Sequence, residues 1–572
     1  MATPLRSRTG WKLSQDLLYT WDQLDGDYAS FKAQHSELTT YLLPNAGRFF
    51  ASDNTGVKRT RSIYDNTPTR ALRTLGAGLM AGATSPARPW MRLAANDREL
   101  NQQTDVERWL QRATDRVLAT VAGSNIYRVL HGCYEDLGGY GTGVFLLTAD
   151  ERTVVHAYPL TCGEYRLAQD FQGNVNVCYR KFQRTAVEVV REFGIDRVSE
   201  ATRRNVEQGN KHAKVTIVHA IEPRYHRDAD KLDDLNMPFL SVYYEEGQTA
   251  DHILRESGYK RFPVLAPRWS VGGSDVYGYG PGMEAIGDIK SLQHQQLRKA
   301  QGIDQQTDPA LQVPSNLKER EVQRFPGGIT HVDAPGSQSG VRPLFEVRIE
   351  LDHLLEDIRD IRERIRSSFS ADLFLMLAMA DSNARMTATE VAERHEEKLI
   401  QLGPVLERLQ TELLQPLVRI VFEELLERGD LPEPPAELVG AELRVEFLGM
   451  LAQAQRAIAV TALERALQIT GGVAQAKPEI LDNIDADALW NEITDMLGVP
   501  ASISMPDDMR DKLRSARAAA QNAQAQTALQ EQQSKTASNL ASAASNGDST
   551  RLSDVISLFS GYDQPAPRAV GV

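Results

Sequence analysis

The chain is short of cysteine: three in 572 residues, at Cys133, Cys162 and Cys178. An odd number without CxxC spacing argues against a disulfide framework and fits thiols kept reduced in a cytosol. There is no Gly-Lys dipeptide, so the phosphate loop GxxxxGK[ST] is missing and direct ATP hydrolysis through one is not expected. No GxSxG elbow occurs. No apolar run reaches the roughly 18 residues of a membrane span. The first residues, Met1 to Arg8, lack the apolar core of a secretory signal, so neither a membrane partner nor secretion is expected. Positive charge is in deficit, with 64 Lys plus Arg against 77 Asp plus Glu and a net charge of -13. A sequence-independent DNA clamp needs clustered cations to displace counterions. This chain is not one, although it can surround DNA without gripping it.

What is present is organised around residues 277–430. A helix is expected to open at Tyr277-Gly-Tyr-Gly-Pro-Gly-Met283, with Pro281 at a position that loses no hydrogen bond, and to run to Gly302. Pro309, Pro314, Pro326 and Pro335 then interrupt about 40 residues. A second helix carries Leu351, Leu354, Leu355, Ile358, Ile361, Ile365 and Phe369 at helical spacing. After a break at Met379–Arg385, Thr387 and Glu390 form a capping box for a long helix. Gly403-Pro404 should kink that helix and Pro416 should bend it again.

Residues 1–276 read as one mixed α and β body. Helices are expected over 12–43, 69–81, 105–122 and 125–137, with Ser85–Leu93 as an extended connector. From Gly138 the period changes to two, and strands are expected near 144–147, 153–157, 165–167, 175–179, 215–218, 239–243 and 264–269. Thr185 and Glu188 cap a short helix. Beyond the prolines at 432–435, Leu443–Phe447 reads as a lone strand that needs a partner in the body. Residues 450–497 read as helical. Residues 515–545, rich in Ala and Gln, read as a weakly held helix or a disordered tail.

Each apparent catalytic pattern has a plainer reading. Gly76–Gly82 has the wrong spacing for a dinucleotide fingerprint and fits close helix packing. Gly138–Gly143 precedes a strand rather than a helix, and a turn is the better reading. His395-Glu-Glu has Leu399 where a zinc-binding helix needs its second histidine. His219 and His226 fit structural roles. No catalytic residue, metal site or cofactor is expected. The cations left over are Lys58, Arg59, Arg61, Arg70 and Arg73 near the N-terminus, and Lys290, Arg298 and Lys299 on the first helix of the excursion.

Taken in order, several stretches resemble the portal, or head-to-tail connector, proteins of short-tailed double-stranded DNA phages. They are Leu75–Trp90, Tyr277–Gly282, Thr307-Asp-Pro309, Met386–Val391 and Leu451–Arg456. The likeness covers about residues 12–497. It implies an α+β, mainly helical portal fold assembled as a ring of twelve around a DNA tunnel at one capsid vertex. Residues 1–276 would be the wing, 277–302 the first stem helix, 303–345 the clip and 346–371 the second stem helix. Residues 372–386 would carry the tunnel loop, and 387–449 the long kinked helix and return strand. A helical crown would span 450–500, and a low-complexity tail 501–572.

By the same likeness, Asp381, Ser382, Asn383, Ala384 and Arg385 would form the tunnel loop. Lys290, Arg298 and Lys299 would line the stem. Lys318, Arg320 and Arg324 in the clip would dock a motor or tail. The implied partners are double-stranded DNA, the terminase large subunit, the major capsid protein and scaffold, and tail adaptor proteins. The implied location is the virion, and the host cytoplasm during assembly. A different ring-forming adaptor, or a packaging-associated nuclease or hydrolase, is the alternative.

Overall fold

The structure is a computed structural model. It describes residues 10–49, 60–247, 253–308, 351–371, 402–448, 487–490 and 507–545, apart from 102, 229 and 232, with short pieces at 311–312, 342–343, 467–468 and 470. Two compact units result, residues 1–481 and 482–572.

The first unit opens with α1 (Gly10–Tyr41) and α2 (Thr67–Ala83). Pro68 lies in the first turn of α2, where its missing N–H costs nothing. Strand β1 (Met91–Ala95) and α3 (Arg98–Asn101) lead to α4 (Thr104–Gly123) and α5 (Ile126–Tyr140). Then come β2 (Val144–Asp150), β3 (Val154–Leu160), β4 (Tyr165–Gln169) and β5 (Val175–Thr185). Helix α6 (Ala186–Phe193) carries the expected capping box of Thr185 and Glu188, and α7 (Glu200–Glu207) follows. The body closes with β6 (Lys214–Pro223), β7 (Phe239–Glu245), β8 (Ile253–Tyr259) and β9 (Val264–Leu265).

These strands make two antiparallel sheets, ordered β4-β5-β6-β7-β8 and β3-β2-β9. One face of the larger sheet buries Tyr179, Val218, Ala220, Val242 and Tyr244 against Leu13, Leu17 and Leu24 of α1. Its other face packs partly on the smaller sheet, through Cys178 and Ile221 against Val144, Leu146 and Leu160. The rest is covered by α6 and by Val198, just ahead of α7, around Ile217 and Leu254. All three cysteines are buried and free.

The excursion starts with α8 (Pro281–Glu284) and α9 (Ile286–Thr307). Gly302 does not stop α9, because one interior glycine costs only about 1 kcal/mol. The helix ends at Asp308, the residue before Pro309, where the α conformation is disfavoured. Strands β10 (Leu311–Gln312) and β11 (Arg342–Pro343) pair antiparallel as a two-residue neck. Helix α10 (Leu351–Ser368) comes back along α9. Its stripe Ile358, Ile361, Ile365, with Phe369 just beyond the helix, is fully buried in the main core beside Leu72 and Leu75.

Residues 402–409 are helical, Gln410–Leu414 form a π-helical turn, and α11 (Gln415–Arg428) follows. This turn lies just ahead of Pro416, where a bend is expected. The proline ring would clash with the carbonyl four residues back, and a widened turn relieves the clash. Strand β12 (Leu443–Phe447) finds its partner in β1, antiparallel, with Met91 opposite Phe447 and Ala95 opposite Leu443. Trp90 stacks on Phe447 with centroids 6.5 Å apart. The last three residues of the stretch expected to be a connector, Met91–Leu93, therefore begin the strand that receives the chain on its return.

In the second unit, α12 (Asp507–Ser545) is a 39-residue helix. Residues 509–535 are almost all exposed.

Candidate functional site

The point where the helical pair is seated on the body is built from two glycine-rich stretches that the sequence presents 140 residues apart. The first is the end of α5. Gly138 and Gly139 remain helical, and Gly141 caps the helix at φ 78° with its N–H on the Leu137 carbonyl at 3.0 Å. The second is Tyr277–Gly282, which lies across it. A Cβ at Gly278 would stand 2.3 Å from the Gly141 carbonyl oxygen, and one at Gly282 would stand 2.5 Å from that of Gly139. At Gly280 it would meet the Leu137 carbonyl oxygen at 2.8 Å. Only glycine allows backbone to lie on backbone at this range. The Gly278 N–H donates to Thr142 Oγ1 at 2.8 Å, and the Trp269 N–H to the Gly141 carbonyl at 2.9 Å. With Pro281 fixing the first helical turn, α8 and α9 leave the body in one direction.

A carboxylate ties both excursion helices to the same place. Buried Asp65 accepts from Arg362 Nη2 on α10 at 2.7 Å and from Gln296 Nε2 on α9 at 3.0 Å. Gln293 of α9 bonds the backbone around it, accepting from the Asp65 N–H at 2.9 Å and donating to its carbonyl at 2.7 Å. Burial pushes the Asp65 carboxyl up, but the Thr67 hydroxyl and amide together with Arg362 outweigh it and hold it below the usual range.

A second tie holds the returning helix. Arg268, buried beside β9, grips Glu412 in the π-turn, with Nη2 to Oε1 at 2.8 Å and Nε to Oε2 at 3.2 Å. Its remaining donors reach Gln169 Oε1 at 2.9 Å and the Gly173 carbonyl at 2.7 Å, in the β4–β5 hairpin. One guanidinium thus joins the smaller sheet, the larger sheet and the return helix. A forked, always-charged group suits such a junction.

Of the expected stem residues, Lys290, Arg298 and Lys299 do not share one face. Lys290 turns toward α1, where Nζ meets Glu37 Oε1 at 2.6 Å. Arg298 is exposed, with Nη1 3.5 Å from Gln301 Oε1. Lys299, half-buried, is nine residues from Lys290, about two and a half turns and so the opposite side of the helix. Asp381, Ser382, Asn383, Ala384 and Arg385 lie outside the described residues, as do Lys318, Arg320 and Arg324. His219 is a core residue, its Nε2 3.0 Å from Ser241 Oγ and its ring stacked on Tyr243. Gly76 lies where α2 and α5 touch; a Cβ there would meet Glu135 at 3.0 Å. Among the described residues no group of three or more His, Cys, Asp or Glu side chains is placed to hold a metal. None of their helices is long and apolar enough to cross a membrane.

No functional motif in the sequence marks Asp65, Arg268 or Glu412. Asp65-Asn-Thr-Pro offers a helix-start signal, and Pro416 marks the bend beside Glu412. Neither signal names a partner hundreds of residues away.

The chain can be set beside known proteins. It is 49% identical over 547 residues to the "Probable portal protein" of Bordetella phage BPP-1, covering 96% of this chain and 98% of that one. It is 40% identical over 512 residues to the "Portal protein" of Salmonella phage epsilon15, covering 89% and 92%. The "Portal protein" of Enterobacteria phage T3 is 22% identical over 436 residues, covering 73% and 76%. The family model for the bacteriophage head to tail connecting protein matches residues 14–504. The chain therefore belongs to the bacteriophage head-to-tail connecting protein family, as a phage portal protein.

Proposed function

We propose that twelve copies of this chain form a closed ring at one capsid vertex, around a channel through which double-stranded DNA enters during packaging and leaves on ejection. The observation that carries this reading is the topology of the excursion. A helical pair leaves a mixed α/β body at a glycine seat, is tied there by Asp65, and returns to pair β12 with β1. Such a pair presents charged faces that stay exposed among the described residues. The body is the wing, α8 to α10 the stem, and the segment beyond the β10–β11 neck the clip.

The clip, with Lys318, Arg320 and Arg324, is the outward face that docks the terminase motor and later the tail proteins. Residues 381–385 follow α10 in the chain and form the tunnel loop, where Arg385 supplies one cation per copy. The net charge of -13 suits a wall along which DNA slides, because each added cation–phosphate contact would add a salt-dependent grip. Arg298, exposed on α9, is a channel-facing candidate. Lys290, paired with Glu37, is a weaker one. The role is structural rather than enzymatic.

Electron microscopy of the purified protein tests the reading. Rings with a central opening are expected. Uniform monomers at micromolar concentration and moderate salt would rule out self-assembly.

A further inference from the structure

The helical pair carries a register that fixes which residues of two neighbouring copies are level. Asp288 of α9 meets Arg364 of α10 at 3.3 Å, and Gln295 of α9 bonds Asp357 of α10. Seven residues along one helix are matched by seven back along the other, so the two run antiparallel in step. Two residues further, Leu297 is level with Leu355.

By helical spacing both leucines fall on the side of their helix away from the partner helix. Leu297 is nine residues from Asp288, and Leu355 nine from Arg364. Nine residues is about two and a half turns, so each lies opposite the side that makes the pair. Both are half-buried and lie outside the four cores. The pair therefore has one leucine on its α9 edge and one on its α10 edge, at the same height.

The flanking charges differ between the edges. Arg359 and Arg366 lie within about 40° of Leu355 around α10; both are exposed, and neither has an ion-pair partner among the described residues. On the α9 edge, Lys290 lies within about 20° of Leu297 and holds Glu37. By the register, Lys290 is level with Arg362, between Arg359 and Arg366.

We infer that the α9 edge of one copy packs against the α10 edge of a second copy, with Leu297 on Leu355 of the neighbour. The Glu37 carboxylate then faces the neighbour's Arg359 and Arg366. This rests on the ring reading above and names the contact that closes it. With the ring axis along the helices, rotation leaves heights unchanged, and level residues on opposite edges of like-oriented copies meet. A two-fold contact would instead bring like edges together, placing Arg359 and Arg366 against themselves.

Cysteine cross-linking of the full chain tests this. The three native cysteines are buried. Under mild oxidation the double variant Leu297→Cys, Leu355→Cys should give a ladder of linked subunits on a non-reducing gel. Each single variant should give none. Dimers from a single variant would show a two-fold contact and overturn the inference. So would the absence of a ladder from double-variant rings that stay intact by electron microscopy. Wild-type protein that forms no rings would instead remove the ring reading on which the inference stands.

A charge swap gives an independent arm should the double variant fail to fold. Glu37→Arg should raise the subunit concentration for half-assembly roughly tenfold, the effect of losing about 1.4 kcal/mol. Adding Arg359→Glu should restore it. Equal assembly in Glu37→Arg and wild type, or no recovery in the pair, overturns the contact.

Discussion

Helices α10 and α12 are both long, charged and rich in good helix formers, yet the body holds α10, while α12 stays almost wholly exposed among the described residues of its own unit. In α10, Ile358, Ile361 and Ile365 fall on one stripe and are buried, and Arg362 anchors it to Asp65. In α12 the chain offers Met509, Leu513 and Leu529, each about half exposed, on an Ala and Gln background. One helix is stable because tertiary packing selects its face. The other stands on intrinsic propensity, which favours Ala and Gln by tenths of a kcal/mol per residue. Substitutions in and around the two should therefore differ in kind.

The largest effect is expected at the seat of α8 and α9. Gly278→Val sets a side chain against the Gly141 carbonyl, where even a Cβ would stand 2.3 Å away. A loss of about 3 kcal/mol or more is expected, since backbone must move. Urea denaturation of the variant should show it. A midpoint within error of wild type would mean that the seat gives way freely.

Next is the stripe itself. Ile361→Ala removes a side chain 2% exposed and should cost about 2–5 kcal/mol. The body and α10 should melt together, read by calorimetry as one shifted transition. A separate early transition would show that the pair is only loosely docked.

A third prediction concerns pH. Burial pushes His35 down from 6.5 to about 4, with Tyr28 Oη 2.9 Å from its Nδ1. A histidine with a depressed folded-state pKa binds protons more readily when unfolded. Its share of stability is intact above pH 6.5 and lost as pH falls from 6.5 toward 4. The stability of wild type relative to His35→Gln should therefore fall by about 3 kcal/mol across that window. A pH-independent difference would contradict the assignment.

The smallest effect is expected in α12. Ala520→Gly should lower helicity by circular dichroism and cost about 1 kcal/mol locally. The main melting transition should stay where it is.

How far the sequence discloses this follows the same contrast. The α10 stripe and the Thr185–Glu188 capping box are local patterns, and both were legible. The partner of β12 was not, because Met91-Arg-Leu-Ala-Ala95 has little alternation and follows Pro89. Strand β8 gives no strand signal, because Ile253-Leu-Arg-Glu-Ser-Gly-Tyr259 is a polar edge strand with a glycine. Helix α7 leaves no apolar stripe in the sequence, since it buries only Thr202. Pro416 marks an irregular turn in the sequence, but does not disclose that this π-turn aims Glu412 at Arg268. Both glycine stretches were visible, and nothing in either said that they lie on one another. Contacts between distant polar residues leave no period to read.

The central claim is that the seated helical pair exists to meet a neighbour. Native mass spectrometry of the full chain at micromolar concentration and moderate salt tests it most directly. The account predicts one dominant species at twelve times the 63.6 kDa subunit. A spectrum of monomers alone would contradict it.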